Sequence, residues 1–205
     1  GAQGGDGQLV QVYNGNPTFG PDEVITAMPD GELIVTAGDK SSAIIAQSIG
    51  GGGGIAGDAT TTDAGGLSAV AVGGKASHGG DGGAVNIANG GTIQTLGGHA
   101  YGLDAQSIGG GGGNGGAANA IDVGAQVTTA AAVGGSAGTG GVGGDVSIIN
   151  FGHLATAGHD AYGIFAQSIG GGGGHGGTSF ASTYQLINDP ESVSFNLDVS
   201  LGGSG

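Results

Sequence analysis

The chain lacks most of the residues that thiol and cationic chemistry require. It has no cysteine, no tryptophan and no arginine, and Lys40 and Lys75 are its only lysines. Without cysteine there is neither a disulfide framework nor a thiolate metal site. Two lysines against 16 acids give a formal net charge of −14, whereas nucleic acids and anionic membrane surfaces attract clustered Lys and Arg. We therefore expect no nucleic-acid partner.

Long apolar runs and aromatic side chains are also scarce. No stretch of about 18 apolar residues is present to span a bilayer, and no basic segment followed by an apolar one opens the chain as a signal peptide would. We therefore expect no direct membrane insertion by this fragment. The five Phe and four Tyr residues argue against one thick core and favour a thin core repeated along an axis.

Glycine, in contrast, is abundant. The 55 glycines and four prolines among 205 residues would indicate a disordered chain if the glycines had no period. The chain is also 37% hydrophobic, which is more than disordered segments usually contain. We therefore expect an ordered, periodic structure that buries small aliphatic side chains.

The period is visible in two repeated elements. Nine identical residues, AQSIGGGGG, occupy positions 46–54, 105–113 and 166–174. A second element, a glycine-rich run followed by alternating apolar residues, occupies 79–89 and 140–150, with a weaker copy at the start of the chain. Self-similarity at a fixed period is the signature of repeat architectures. We therefore expect positions 1–205 to form a single solenoid fragment of a longer repeat protein, with units of about 60 residues near 34–92, 93–153 and 154–205.

Alternation within the unit predicts its secondary structure. Val85, Ile87, Ile93 and Thr95 share one parity, which is typical of strands with one buried face. Asn and Gly between the apolar pairs predict corners, because both tolerate left-handed backbone angles. The sequence therefore predicts an all-β parallel β-solenoid.

The sequence gives only an expected size for one coil and leaves several paths open for the glycine runs. At roughly 20 residues per coil, each unit would contain about three coils, and the stack would be about 45–50 Å long. The five-glycine runs are compatible with close layer packing, with extended polyglycine-like segments or with loops.

Two insertions interrupt the repeat, at about 15–31 and 184–193. They contain all four prolines, which break strand ladders, so we expect both to leave the stack as loops. Exposed loops on a rigid scaffold are where binding usually occurs. The acids of the first insertion define a candidate binding loop: Asp22, Glu23, Asp30 and Glu32.

The unit resembles a known family. The sequence of residues 152–158, followed by AYGIFAQSIGGGGGHGG at 161–177, is similar to glycine-rich repeats in the passengers of very large bacterial autotransporter adhesins. The resemblance implies a right-handed parallel β-helix, exposed at the cell surface and tethered by an outer-membrane barrel that this chain lacks. It implies a non-catalytic role in adhesion, aggregation or biofilm, with an extracellular receptor, a glycan or another copy of the protein as partner.

Two alternative functions stay open. Residues 140–145 match the start of a calcium β-roll motif, but Ser147 stands where the motif needs a large apolar residue, and no tandem copy follows. A β-helical polysaccharide-degrading enzyme would gather several carboxylates in a groove. Asp104, however, aligns with Ile45 and Phe165 and is not a repeated feature.

The remaining candidate groups predict no chemical site. The five histidines do not share a repeated position and form no H-E-x-x-H pair, so we interpret them as solvated surface residues. Tyr101 and Tyr162 recur at equivalent positions, where strand-edge packing is favoured over a sugar-stacking surface. We assign no catalytic residue, no cofactor and no metal ligand from the sequence.

Overall fold

The structure, a computed structural model, describes residues 2–65, 67–125, 127–186 and 195–205. Its regular secondary structure is entirely β in these ranges, which contain no helix long and apolar enough to cross a membrane. The strands are β1 Val10–Asn14, β2 Thr18–Phe19, β3 Ile25–Ala27, β4 Ile34–Thr36, β5 Ile44–Ile49, β6 Ala59–Ala64, β7 Ala69–Val72, β8 Val85–Asn89, β9 Thr92–Thr95, β10 Leu103–Ile108, β11 Ala118–Gly124, β12 Val127–Val133, β13 Val146–Asn150, β14 His153–Thr156, β15 Ile164–Ile169, β16 Ser179–Gln185 and β17 Phe195–Leu201.

Fifteen of these strands stack into five parallel sheets of three strands each, which is consistent with the predicted β-solenoid. The chain visits the sheets in a fixed order before it returns to the first. We number them in that order: sheet 1 (β1, β8, β13), sheet 2 (β4, β9, β14), sheet 3 (β5, β10, β15), sheet 4 (β6, β11, β16) and sheet 5 (β7, β12, β17). The other two strands, β2 and β3, form an antiparallel hairpin.

One repeat unit makes one complete coil. Val85 pairs with Val146, and Ala46 pairs with Ala105, so each strand lies beside its own copy in the neighbouring unit. The expectation of three coils per unit is therefore wrong. With three strands per sheet, the first and last strands are only about 10 Å apart. The coil is wide because five strands and two glycine segments lie in one layer.

Sheets 1, 2 and 3 enclose the main apolar core. Its fully buried members in the middle layer are Val85, Ile87, Ile93, Leu103 and Ala105. The strict alternation of buried and exposed residues along β5 and β9 confirms the predicted period of two. Sheets 4 and 5 face each other across a second, thinner core that consists of alanines alone: Ala69, Ala71, Ala118, Ala120, Ala130 and Ala132.

The corner between sheets 1 and 2 is held by an asparagine ladder. Asn14 donates from Nδ2 to Oδ1 of Asn89 (2.7 Å), and Asn89 donates in the same way to Asn150 (2.7 Å). Asn89 is fully buried. The predicted corner is therefore confirmed. Its glycine, Gly91, was expected to allow a left-handed backbone angle, but it is needed for a different reason. Gly91 has no left-handed angle; a Cβ there would fall on the carbonyl oxygen of Glu32 in the adjacent layer.

The left-handed backbone instead occurs at the next corner, between sheets 2 and 3. Lys40, His99 and Asp160 occupy equivalent positions in the three layers and have φ angles of 57°, 54° and 50°. In the middle layer Thr95 closes this corner by donating from its hydroxyl to the carbonyl oxygen of Ala100 (2.9 Å). A non-glycine residue with positive φ is uncommon, so the same turn is imposed on three different side chains.

Two glycine-rich segments connect the two cores in each layer. We call residues 50–58, 109–117 and 170–178, which lead from sheet 3 to sheet 4, the outgoing segments. Residues 73–84 and 134–145, which lead from sheet 5 back to sheet 1, are the returning segments. None is a free loop, because the backbone of each is hydrogen-bonded to the segments around it.

The hydrogen bonds of these segments follow a period of three. In the middle outgoing segment, one set of amides donates to the end of β15 and to the outgoing segment of the next layer. The following residue in each triplet donates to the returning segment 73–84. The first set comprises Gly109, Gly112 and Gly115, which donate to Ile169, Gly172 and His175; the second comprises Gly110, Gly113 and Gly116, which donate to Gly80, Ser77 and Gly74. Backbone groups thus satisfy one another across the interior without side chains.

The period of three also explains where glycine is obligatory. A Cβ at Gly110 would fall on the carbonyl oxygen of Gly51, and one at Gly112 on that of Gly138, whereas Gly111 has only one atom within 4 Å of its Cβ position, at 3.8 Å. Two of every three positions therefore face neighbouring backbone, and the third faces outward. The non-glycine residues of the segments occupy mainly this third position, as at Ile55, Asn114, His175, Lys75, His78, Asp81, Thr139 and Val142.

Polar side chains at these outward positions bond to the layer above. Asp6 Oδ1 accepts from the amide of Asp81 (2.9 Å), and Asp81 Oδ1 accepts from the amide of Val142 (2.8 Å). Asn114 Oδ1 accepts likewise from the amide of His175 (2.9 Å). These amides are the ones in each triplet that do not bond to backbone of a neighbouring segment, so the side chains complete the hydrogen bonding between layers.

The repeated motif AQSI forms hydrogen bonds between sheet 3 and the returning segments. In the middle copy, the Ser107 hydroxyl donates to the carbonyl oxygen of Gly83 (2.8 Å) and accepts from the amide of Gly144 (2.8 Å). Gln47 donates to Gln106 on the outer face (2.8 Å). The repeated Ser therefore links two successive returning segments, and the repeated Gln links two successive layers.

The glycine segments provide a test with adjacent matched variants. Gly110→Ala should destabilise the fold by about 2 kcal/mol or more, because the new methyl group overlaps a backbone oxygen that cannot rotate away. Gly111→Ala should change the free energy of unfolding by less than about 0.5 kcal/mol. Urea denaturation of both variants measures the difference, and equal costs would contradict the period of three.

Candidate functional site

The first insertion forms a hairpin rather than an irregular loop. Strands β2 and β3 pair antiparallel, with Thr18 opposite Ala27. The Gly20 amide donates to the carbonyl oxygen of Val24 (2.8 Å), and the Glu23 amide donates to that of Gly20 (3.1 Å). The prolines do not prevent pairing because Pro17, Pro21 and Pro29 lie before, between and after the two strands.

The four acids of the candidate binding loop do not form one group. Asp22 and Glu23 lie in the hairpin turn, and both are exposed. Asp30 and Glu32 lie instead in the corner that leads to β4, where the amide of Glu32 donates to Oδ1 of Asn14 (2.9 Å). Glu32 thus contributes its backbone to the asparagine ladder, and the predicted acidic cluster separates into two pairs.

The hairpin folds over the outer face of sheet 1 and leaves an open cleft of about 330 Å³ between them. Tyr13 and Phe19 supply aromatic surface, and Glu23 is the one predicted residue that lines the cleft. Polar groups reach it from the strands of sheet 1 in all three layers: Gln11, Asn86 and Ser147.

This combination of groups suits binding rather than bond cleavage. Aromatic rings provide rigid apolar contact area, and a few convergent amides, a hydroxyl and one carboxylate can orient a ligand through hydrogen bonds. The sequence analysis missed Tyr13 and Phe19, because nothing in the repeat indicates that the insertion folds back over sheet 1. Tyr13, just before the insertion, and Phe19, within it, were the only available signal.

A second unusual feature lies on the outer face of sheet 3. Tyr101, Tyr162 and Phe165 form an aromatic cluster with ring centroids 5.1–6.1 Å apart. Asp104 pairs in register with Phe165 and Ile45 and is only 7% exposed. Its Oδ1 has no hydrogen-bond partner, and desolvation by burial raises the pKa of this carboxyl above its usual value of 3.8. The two tyrosines therefore pack together, as predicted, and both also contact Phe165. The buried Asp104 is the strand neighbour of Phe165.

The second insertion, predicted at about 184–193, lies largely outside the described residues, because the structure describes residues up to 186 and again from Phe195. Strands β16 and β17 on either side of it belong to sheets 4 and 5.

The chain matches no family model, no curated protein and no solved structure.

Asp104 predicts how stability depends on pH. Since its pKa is raised in the folded state, the folded protein retains a proton that the unfolded chain has already lost, and this group stabilises the fold more as the pH falls towards 3.8. At pH 7 the buried charge is a cost, so Asp104→Asn should raise the free energy of unfolding by about 1 kcal/mol. The gain should shrink as the pH approaches 4.

Urea denaturation at several pH values measures this effect. Asp22→Asn, at an exposed position in the hairpin turn, is the matched control, and we expect it to change stability by less than about 0.5 kcal/mol at every pH. A gain for Asp104→Asn that stays constant from pH 4 to pH 7 would show that titration of Asp104 is not its cause.

Proposed function

We propose that this chain is a non-catalytic structural and adhesive segment of a surface-exposed bacterial autotransporter passenger, which supports adhesion, aggregation or biofilm. The observation that carries this proposal is the register of the layers. Equivalent residues of successive units lie side by side throughout five sheets, so further units can be added at either face of the stack without changing the pattern. Such a body suits a stiff, extendable stalk.

The glycine segments support a stalk of high stiffness. We propose that they are polyglycine-like extended segments with three residues per turn, since their amide donors recur at every third residue and extended helices of this kind have three residues per turn. The coil is proposed to wind in the right-handed sense that parallel connections almost always adopt. Backbone hydrogen bonds across the interior then resist bending in more directions than a single sheet would.

The composition supports a surface location. A net charge of −14 keeps neighbouring fibres soluble through mutual repulsion. The absence of cysteine is compatible with export of an unfolded chain, which must not form premature cross-links. Tethering by an outer-membrane barrel belongs to the same proposal.

The adhesive element is proposed to be the hairpin cleft. It is formed by the first of the two insertions, and it presents aromatic and amide groups together. Its single carboxylate, Glu23, and the absence of basic side chains among its lining residues favour a neutral partner such as a glycan or an uncharged surface of a receptor.

The proposal is tested by display of the chain on a bacterium that does not itself adhere, anchored through an unrelated outer-membrane barrel. Displayed chain should increase cell aggregation or retention on immobilised glycans and matrix proteins. Changing Tyr13 and Phe19 together to Ser should reduce retention at least tenfold, since buried aromatic anchors dominate most interfaces.

Phe180→Ser provides the matched control. Phe180 is 52% exposed and Phe19 is 54% exposed, but Phe180 lies on sheet 4, away from the cleft, so its loss should leave retention unchanged. If display confers neither aggregation nor retention, the adhesive function is wrong. Release of reducing ends from a polysaccharide would replace it with the enzymatic alternative, and folding only after calcium addition would favour the β-roll alternative.

A further inference from the structure

Two histidines and an aspartate meet at the corner between sheets 2 and 3. The ligand atoms of His99, His159 and Asp160 all lie within 4.8 Å of one another, and the three side chains are exposed. The two imidazole rings make an edge-to-face contact with centroids 5.0 Å apart. The sequence analysis interpreted all five histidines as unrelated surface residues because no two occupy the same repeat position.

The corner brings together two histidines that lie in adjacent layers at repeat positions one residue apart. His99 of the middle layer is equivalent to Asp160 of the last layer, and His159 is equivalent to Gly98. The amide of His99 donates to the carbonyl oxygen of His159 (2.9 Å), which fixes the two layers against each other. The ring of His159 lies over Gly98, where a Cβ would overlap it. A glycine in one layer thus makes room for the imidazole of the next.

The backbone at this corner limits where the side chains can go. His99 and Asp160 both have left-handed angles, with φ of 54° and 50°, and both belong to the residue types that tolerate this region best. The side chains therefore leave the same turn in successive layers from equivalent backbone positions. Ligand positions are set by the layer stacking rather than by a flexible loop.

We propose that His99, His159 and Asp160 form a binding site for a transition-metal ion of the Zn²⁺ type. Two imidazoles and a carboxylate are the ligands that Zn²⁺ accepts, and a site with three protein ligands keeps its fourth position for water. Tetrahedral coordination with bonds of about 2.0–2.2 Å places ligand atoms about 3.3–3.6 Å apart, so rotation of exposed side chains is sufficient to close the site. The ion would join the middle and last layers at one corner.

The test uses the full chain without a histidine tag and with Zn²⁺ as the only added ligand. Calorimetric titration should give one Zn²⁺ per chain, and Co²⁺ in its place should develop the visible absorption of a four-coordinate site. His99→Asn, His159→Asn and Asp160→Asn should each weaken Zn²⁺ binding at least tenfold. Asparagine also tolerates the left-handed backbone at 99 and 160, and thermal unfolding without metal should confirm that the variants fold.

His153→Asn is the matched control, because His153 is an exposed histidine on β14 in the same layer as His159 and lies outside the cluster. It should bind Zn²⁺ as the unchanged protein does. At a hundredfold excess over the dissociation constant, Zn²⁺ should raise the unfolding midpoint of the unchanged protein and of His153→Asn by about 5 to 10 °C. The same Zn²⁺ concentration should raise the midpoints of the cluster variants by at most about half as much.

Three results would overturn the assignment. The first is Zn²⁺ affinity that is equal in the unchanged protein and in His99→Asn. The second is a loss in His153→Asn as large as that in the cluster variants. The third is Ca²⁺ binding that the cluster variants abolish, since Ca²⁺ prefers six to eight oxygen ligands. None of these measurements depends on adhesion, so the metal site and the proposed function stand or fall separately.

Discussion

Hydrogen bonding between identical backbones in successive layers is the constraint on which the whole structure depends. In the sheets it is the ordinary parallel ladder, and in the glycine segments it is a network in which outgoing and returning segments alternate as donors and acceptors. In the glycine segments, two of every three positions have no space for a side chain, because the backbone of a neighbouring segment lies there. The glycine content is therefore a requirement of the close approach, since a Cβ at Gly110 would occupy the place of the carbonyl oxygen of Gly51.

That constraint separates the interior from the places where the layers can differ. The two cores accept only small changes, such as Leu103 beside Ile44 and Ile164, because each inward residue of the middle layer lies in register between its equivalents in the other two layers. Variation accumulates where side chains point outward: at the third position of the glycine segments, at the left-handed corner and on the outer faces of the sheets. The hairpin, Asp104 and the histidine pair all occupy such positions. A repeated body can thus carry unrepeated chemistry without loss of its register.

The candidate site could be predicted only in part from the sequence. The insertion was visible as a break in the period, and Glu23 belonged to the predicted group, because proline and acid content can be read without a structure. Tyr13, Phe19 and the polar residues of sheet 1 could not be assigned to one cleft, because they come together only when the hairpin folds back over three layers. The contact between His99 and His159 could not be predicted for a related reason: residues in contact between layers need not be equivalent in the repeat. Here His99 is equivalent to Asp160, and it contacts the residue before Asp160, His159.

The sequence by itself determined the strands of sheets 1 and 2, their inward faces, the asparagine corner and the length of the repeat, because each of these depends on side-chain alternation or on identity between units. Only the tertiary structure decided that one unit makes one coil, that the glycine segments lie between two cores, and that the hairpin covers sheet 1. Those features depend on which backbone groups bond to which across separations of about 17 to 74 residues in the chain, as between Gly74 and Gly57 and between Val10 and Ala84. Glycine leaves no pattern of side chains from which such partners could be inferred, and so the segments that hold the layers together are the ones whose sequence says least about their path.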